Sequence, residues 1–197
     1  MPYHPPVTLT VDDLTGYVER DLDADLARLL PDRPAITDID LAEVRPIEPF
    51  LQRLPPAAAS ALAAFDRRIG SGTMPEFLDI ADWSYGFDFA ANECGILDSD
   101  YETALSDDDV YSIGADGGGN LYVVLASGQV AVWFHEEEVL EGHTRFDNLD
   151  VFLWCYVRYE AVRAGTLALA DVEADFVSLG QAGALEPELG LLASMRA

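Results

Sequence analysis

Apolar and polar positions alternate with different periods in successive stretches of this chain. Leu14, Val18, Leu22, Leu26 and Leu29 recur at helical spacing behind Thr10-Val11-Asp12-Asp13, a capping-box-like start, and Pro31 ends the pattern. An amphipathic first helix is predicted. Prolines at 34, 46, 49, 55 and 56 then divide the chain into a short helical piece and a connector, and Pro56 suits the first turn of a helix carrying Ala58, Leu62, Phe65 and Ile69 up to Gly70. Between Met74 and Gly95 the period becomes two: Trp83, Tyr85, Phe87 and Phe89 alternate with Ser84, Gly86 and Asp88. This predicts a strand with one aromatic face, and the large area of those rings favours core over an exposed recognition face. Residues 120–125 and 129–135 form a hairpin pattern turning at Ser127-Gly128, and Leu121-Tyr122-Val123-Val124-Leu125 is apolar on both faces, so both sides of the sheet should be covered there. A long helix follows, capped by Asp147 or Asn148, with Leu149, Phe152, Leu153, Tyr156 and Val157 as its stripe and Gly165 as its end. The tail reads as two shorter helices separated by glycines around Gly180 and Gly183. No repeat or linker divides the chain, so one domain is expected, with a helical part over 1–70, a core over 74–164 and a helical extension over 166–197.

Composition adds size, compartment and partner class. A chain of 197 residues, 50% hydrophobic, is large enough to bury a core. Charged residues interrupt every window before it reaches the roughly 18 apolar residues of a membrane helix. The opening Met1-Pro2-Tyr3-His4-Pro5-Pro6 has neither the basic flank nor the apolar centre of a leader, so a cytoplasmic protein is expected. Cys94 and Cys155 are too few for a disulfide framework and read as small buried apolar residues. The formal net charge is -25, and every basic residue is Arg. Such a chain should repel nucleic acid and anionic membrane, and its natural complement is a basic protein.

The charge is not evenly spread. Residues 1–68 hold 12 acids and 7 arginines, residues 69–144 hold 16 and none, and residues 145–197 hold 8 and 4. A uniform compositional bias would not produce this. Within the middle stretch the acids cluster as Asp98, Asp100 and Glu102, then Asp107, Asp108 and Asp109, with Asp116 in a glycine-rich segment, then Glu136, Glu137, Glu138 and Glu141. A solvated acidic loop and a docking surface both fit such runs. As candidate partner contacts, Asp107, Asp108, Asp109, Asp116, Glu136, Glu137, Glu138 and Glu141 come first, with Asp98, Asp100 and Glu102 behind them.

Motifs for chemistry are weak by comparison. The run Ser112 to Asn120 lacks the Gly-Lys-Ser/Thr ending of a phosphate loop and precedes a strand, so it reads as a tight turn between strands needing positive φ. Asp98, Asp100, Glu102 and Asp109 resemble part of a calcium loop, but the sixth position is Thr103 where Gly is needed. His135 and His143 match no zinc-binding spacing, and no nucleophile elbow occurs. No catalytic set, metal site or cofactor is therefore assigned.

Two segments resemble a known family. Val110-Tyr111-Ser112-Ile113-Gly114-Ala115-Asp116-Gly117-Gly118-Gly119-Asn120-Leu121-Tyr122-Val123 and Gly128-Gln129-Val130-Ala131-Val132-Trp133-Phe134-His135, followed by the helix start Phe146-Asp147-Asn148-Leu149-Asp150-Val151-Phe152-Leu153, are similar to the SUKH (SMI1/KNR4) superfamily. The likeness covers roughly residues 74 to 164; upstream, only Pro75, Phe77 and Leu78 echo the family's usual helix. The resemblance implies an α+β fold with a central, mostly antiparallel sheet and packed helices. It also implies an immunity protein that binds and neutralises a cognate bacterial toxin, often a nucleic-acid-acting enzyme with a basic cleft. A scaffold or regulatory module, which the same superfamily includes, is the alternative, and a metal-dependent hydrolase the third.

Overall fold

In the computed structural model, which describes residues 8–37 and 39–197, the first apolar stripe is wholly buried but is not one helix. The opening segment read for a leader lies outside the described residues. A 3-10 turn at Asp12–Leu14 leads into α1 (Tyr17–Arg20) and α2 (Leu22–Leu29), with Gly16 at φ 77° between the turn and α1. Asp150, far along the chain, accepts the backbone N–H groups of Gly16 and Val18 at 2.9 and 2.8 Å. A tertiary carboxylate thus satisfies the donors at the start of α1, and the chain can bend there without orphaning them. Thr10 donates its N–H and its hydroxyl to Asp13, so half of the expected capping box is present. The short piece is α3 (Glu48–Leu51), and α4 (Pro56–Gly70) starts on its proline as the pattern predicts.

Six strands follow: β1 (Leu97–Asp98), β2 (Thr103–Ala104), β3 (Val110–Ala115), β4 (Leu121–Leu125), β5 (Val130–Phe134) and β6 (Val139–Leu140). Their spatial order is β2-β1-β6-β5-β4-β3, and every neighbouring pair is antiparallel except β1 with β6. The fold is α+β. Ala104 and Val110 stand on opposite edges of this order, yet the chain between them can span at most about 22 Å, whereas five strand spacings in a flat sheet cover about 24 Å. The sheet must therefore curl.

β4 is buried on both faces, as its pattern predicts, with the helices on one side and the 87–96 segment on the other. Tyr122 and Val124 belong to the helical side, where Tyr122 packs on Phe152 and Tyr156 of α5 (Leu149–Arg163) with ring centroids 4.8 and 5.2 Å apart. Leu121, Val123 and Leu125 belong to a second cluster with Phe89, Ile96 and Trp133. Asn148 caps α5, its Oδ1 accepting from Val151 N–H at 3.0 Å. The tail forms three helices where two are expected: α6 (Leu169–Leu179), α7 (Ala182–Leu185) and α8 (Leu191–Arg196). Gly180 in the left-handed region ends α6, and the Pro187 to Gly190 segment separates the other two. Buried residues on the helical side form one cluster from Leu14 to Leu192. No helix among the described residues is long and apolar enough to cross a membrane.

The predicted aromatic strand is not one. Residues 79–86 run beside β3 as an irregular edge: Asp79 and Ala115 exchange backbone hydrogen bonds, Tyr85 bridges to Ile113, and Gly86 N–H donates to Ser112 O at 2.9 Å. Between these contacts the chain loops out, pinned by the buried Ser84 hydroxyl donating to Asp79 O at 2.8 Å. Tyr85 and Phe89 are buried, but Trp83 is 47% exposed. The loop breaks the pleat, so alternate residues no longer share a face.

Candidate functional site

The eleven acids singled out in the sequence do not gather in one patch. Pairing of Leu121 with Trp133 and of Ala115 with Leu121 puts Asp116 at the same end of the sheet as Glu136, Glu137 and Glu138, while Val110 paired with Leu125 puts Asp107, Asp108 and Asp109 at the other end. Asp98, Asp100, Glu102 and Glu141 flank the β1–β6 pair. There are three groups.

Most of these carboxylates already have partners. Asp107 accepts from Phe89 and Ala90 N–H at 3.1 and 3.2 Å and lies 3.6 Å from the Arg45 guanidinium. Burial still pushes its carboxyl above the ordinary range, because it sits half-enclosed beside Asp88, whose own carboxyl is held low chiefly by the Ala91 N–H. Asp109 closes a capping box with Ser106 and pairs with Arg53 at 3.1 Å. Asp108 projects outward, its side chain 80% exposed, with Arg53 at 3.8 Å. Asp98 is buried against Arg145 at 2.6 Å, and Asp100 lies 3.7 Å from the same guanidinium. Arg45, Arg53 and Arg145 all come from outside the Arg-free stretch.

The glycine-rich segment is a turn, as expected. Asp116 Oδ1 accepts from Gly118 and Asn120 N–H at 2.7 and 3.2 Å, and Asn120 Nδ2 donates to Oδ2 at 2.9 Å. Gly117 and Gly119 have φ of 83° and 99°, which side chains other than Gly rarely adopt. His135 stacks its ring edge against Gly119 and bonds Asn120 Oδ1 through Nδ1 at 3.0 Å, which ties this turn to the start of the Glu136 run. Glu138 is in the left-handed region at φ 56° and accepts from Gly95 N–H at 2.6 Å. Glu141 takes a long bond of 3.4 Å from Ser99. Glu136, Glu137 and Glu102 are exposed and form no ion pair among the described residues. No group of three or more His, Cys, Asp or Glu converges as a metal site among the described residues.

Sequence reasoning missed one feature. An open groove of about 560 Å³ runs between residues 43–46 and the 82–92 segment, and Trp83, Phe87, Glu43, Asp82 and Asp88 line it. The period-two pattern concealed it by assigning Trp83 to the core. Comparison with family models, curated proteins and solved structures finds no match for this chain.

Proposed function

We propose that this protein is an antitoxin-like immunity protein that binds a basic, nucleic-acid-acting toxin domain and occludes its cleft, acting by association and not by catalysis. The observation that carries the reading is the set of exposed carboxylates with no cation of their own, Glu136 and Glu137 beside the Asp116 turn, on a chain of net charge -25 without Lys. A nucleic-acid-acting domain presents a positive cleft, and a rigid acidic projection from a sheet end is its electrostatic complement. Likeness of residues 110–135 to the SUKH superfamily supports the same reading. Long-range attraction would make such an association fast at low salt and slower as salt rises.

The test starts from a toxin domain encoded beside this gene, produced and assayed for growth arrest with and without this protein. Neutralisation by the native protein, weakened with a slower association rate by Asp108→Lys/Glu136→Lys/Glu137→Lys, is the expected result. Undiminished neutralisation by the triple variant would overturn the acidic docking mode. Recovery of several host proteins in place of one toxic enzyme would favour a scaffold.

A further inference from the structure

We propose that the groove beside Trp83 is a subsite for an arginine side chain presented by the basic protein partner, an inference that rests on the function proposed above. The groove holds three carboxylates, Glu43, Asp82 and Asp88, and one cation, Arg45. That cation is already committed: its guanidinium donates to the carbonyls of Val110 and Asp107 and lies 4.9 Å from the centre of the Tyr111 ring. The lining therefore presents surplus negative charge around an aromatic wall.

Trp83 is that wall. It is one of the few large apolar side chains left exposed, and among the described residues it makes no ring–ring contact and its indole N–H has no acceptor. An indole face is the best side-chain platform for a cation, and partial enclosure strengthens the attraction. A purely apolar guest would desolvate three carboxylates without pairing them, which is costly. A guanidinium meets both demands, because its flat face stacks on the indole while its edge N–H groups reach carboxylate oxygens in the same plane. A lysine ammonium, a compact and strongly hydrated point charge, has no flat face to stack and fits this arrangement less well.

The groove is also built in advance. Gly86 forms its floor at φ 59°, where a Cβ would stand 2.8 Å from the Tyr111 hydroxyl and 3.1 Å from Val44. Backbone bonds from Arg45 N–H to Gly86 O and from Gly86 N–H to Ser112 O, at 3.1 and 2.9 Å, fasten that floor to both neighbours. Asp82 accepts from Asp40 N–H at 3.2 Å and Asp88 from Ala91 N–H at 2.7 Å, each through Oδ1. The Asp88 carboxyl is held further by the Ala90 N–H and the neighbouring Asp107 carboxyl, so little ordering remains to be done on binding.

The experiment is a titration of the full-length ¹⁵N-labelled protein with a blocked Gly-Arg-Gly peptide, followed through the indole N–H signals of Trp83, Trp133 and Trp154. Citrulline in place of arginine supplies a neutral isostere, and a Gly-Lys-Gly peptide a round cation. The expected result is a saturable shift of Trp83 alone, at least about fivefold weaker for citrulline and for lysine. Asp82→Asn should weaken it by a similar factor with an unchanged melting temperature, and Glu43→Gln provides a second variant on an independent segment. No shift, an equal shift with citrulline, or equal shifts of all three indoles would overturn the proposal, and an equally tight lysine peptide would overturn its guanidinium assignment. The two proposals fail separately. A toxin that is neutralised with unchanged affinity by Trp83→Ala removes the arginine subsite alone, whereas an intact peptide titration without any neutralised toxin removes the immunity function alone.

Discussion

Asp25 shows how a single carboxylate joins sequence-distant parts of the molecule. It sits on α2, accepts from the Tyr17 hydroxyl at 3.0 Å, pairs with Arg28 at 2.6 Å and reaches Arg158 on α5 at 2.8 Å. Burial alone would push its carboxyl up, but the Arg28 hydrogen bond together with the charge and hydrogen bond of Arg158 and the Tyr17 hydroxyl outweigh it, and the group is held below the ordinary range. The consequence for stability has a definite sign. An unfolded chain titrates its aspartates near pH 4, so below that value the unfolded state takes up a proton that folded Asp25 resists, and the stabilisation drains away as pH falls through the folded value. Asp25→Asn should therefore be less stable than the native protein at pH 7, and the difference should shrink in urea titrations carried out below about pH 4. A gap that stays constant down to pH 2 would show that packing, not charge, accounts for the loss.

At the scale of elements, the sheet is graded from a rigid centre to a short edge. β4 lies between β3 and β5, its faces filled by two separate apolar clusters, whereas β1 and β2 contribute two residues each and hold Tyr101, 73% exposed, at the turn between them. Amides of 121–125 can exchange only when the whole sheet opens, while those of 97–104 need only local fraying. Hydrogen exchange read by mass spectrometry should find 121–125 the slowest of the strand segments and 97–104 the fastest, and comparable rates would contradict the grading. The slow part is also the part legible in the sequence. Alternating or continuous β-branched and aromatic runs around a Ser-Gly turn specify β4 and β5, and Asn148 followed by an apolar run specifies α5. Two-residue strands carry too few positions for any period to register, so β1, β2 and β6 were invisible. The aromatic segment failed for the opposite reason: its pattern was clear, but the loop at 81–84 and Gly86 in the left-handed region broke the pleat that gives a period of two its meaning.

For the molecule as a whole, charge counted along the chain and charge arranged in space are different quantities. The Arg-free stretch from 69 to 144 appeared as one acidic block, yet Arg45, Arg53 and Arg145 fold onto it from either side and pair with Asp107, Asp108, Asp109, Asp98 and Asp100. Among the acids left without an ion pair are Glu136 and Glu137 at the sheet end, Glu102 at the edge, and the carboxylates around Trp83. The first three were legible in the sequence as runs, and the groove was not, because Glu43, Asp82 and Asp88 are brought together only by the fold. Since 36 acids face 11 arginines, most carboxylates have no cation to pair with, and their mutual repulsion works against the compact state. Added salt acts on two populations in opposite directions. It weakens exposed pairs such as Arg20–Asp21, each worth little, and it screens the far larger number of repulsive pairs, with a Debye length falling from about 10 Å at 0.1 M to about 3 Å at 1 M. Repulsion should win, so the melting temperature should rise steadily between 0.02 and about 1 M sodium chloride. Raising salt should therefore stabilise the protein while slowing the association proposed with a basic partner, two effects of one screened field. A fall in melting temperature with salt would mean that the arginine pairs, not the surplus carboxylates, set the electrostatic balance of the fold.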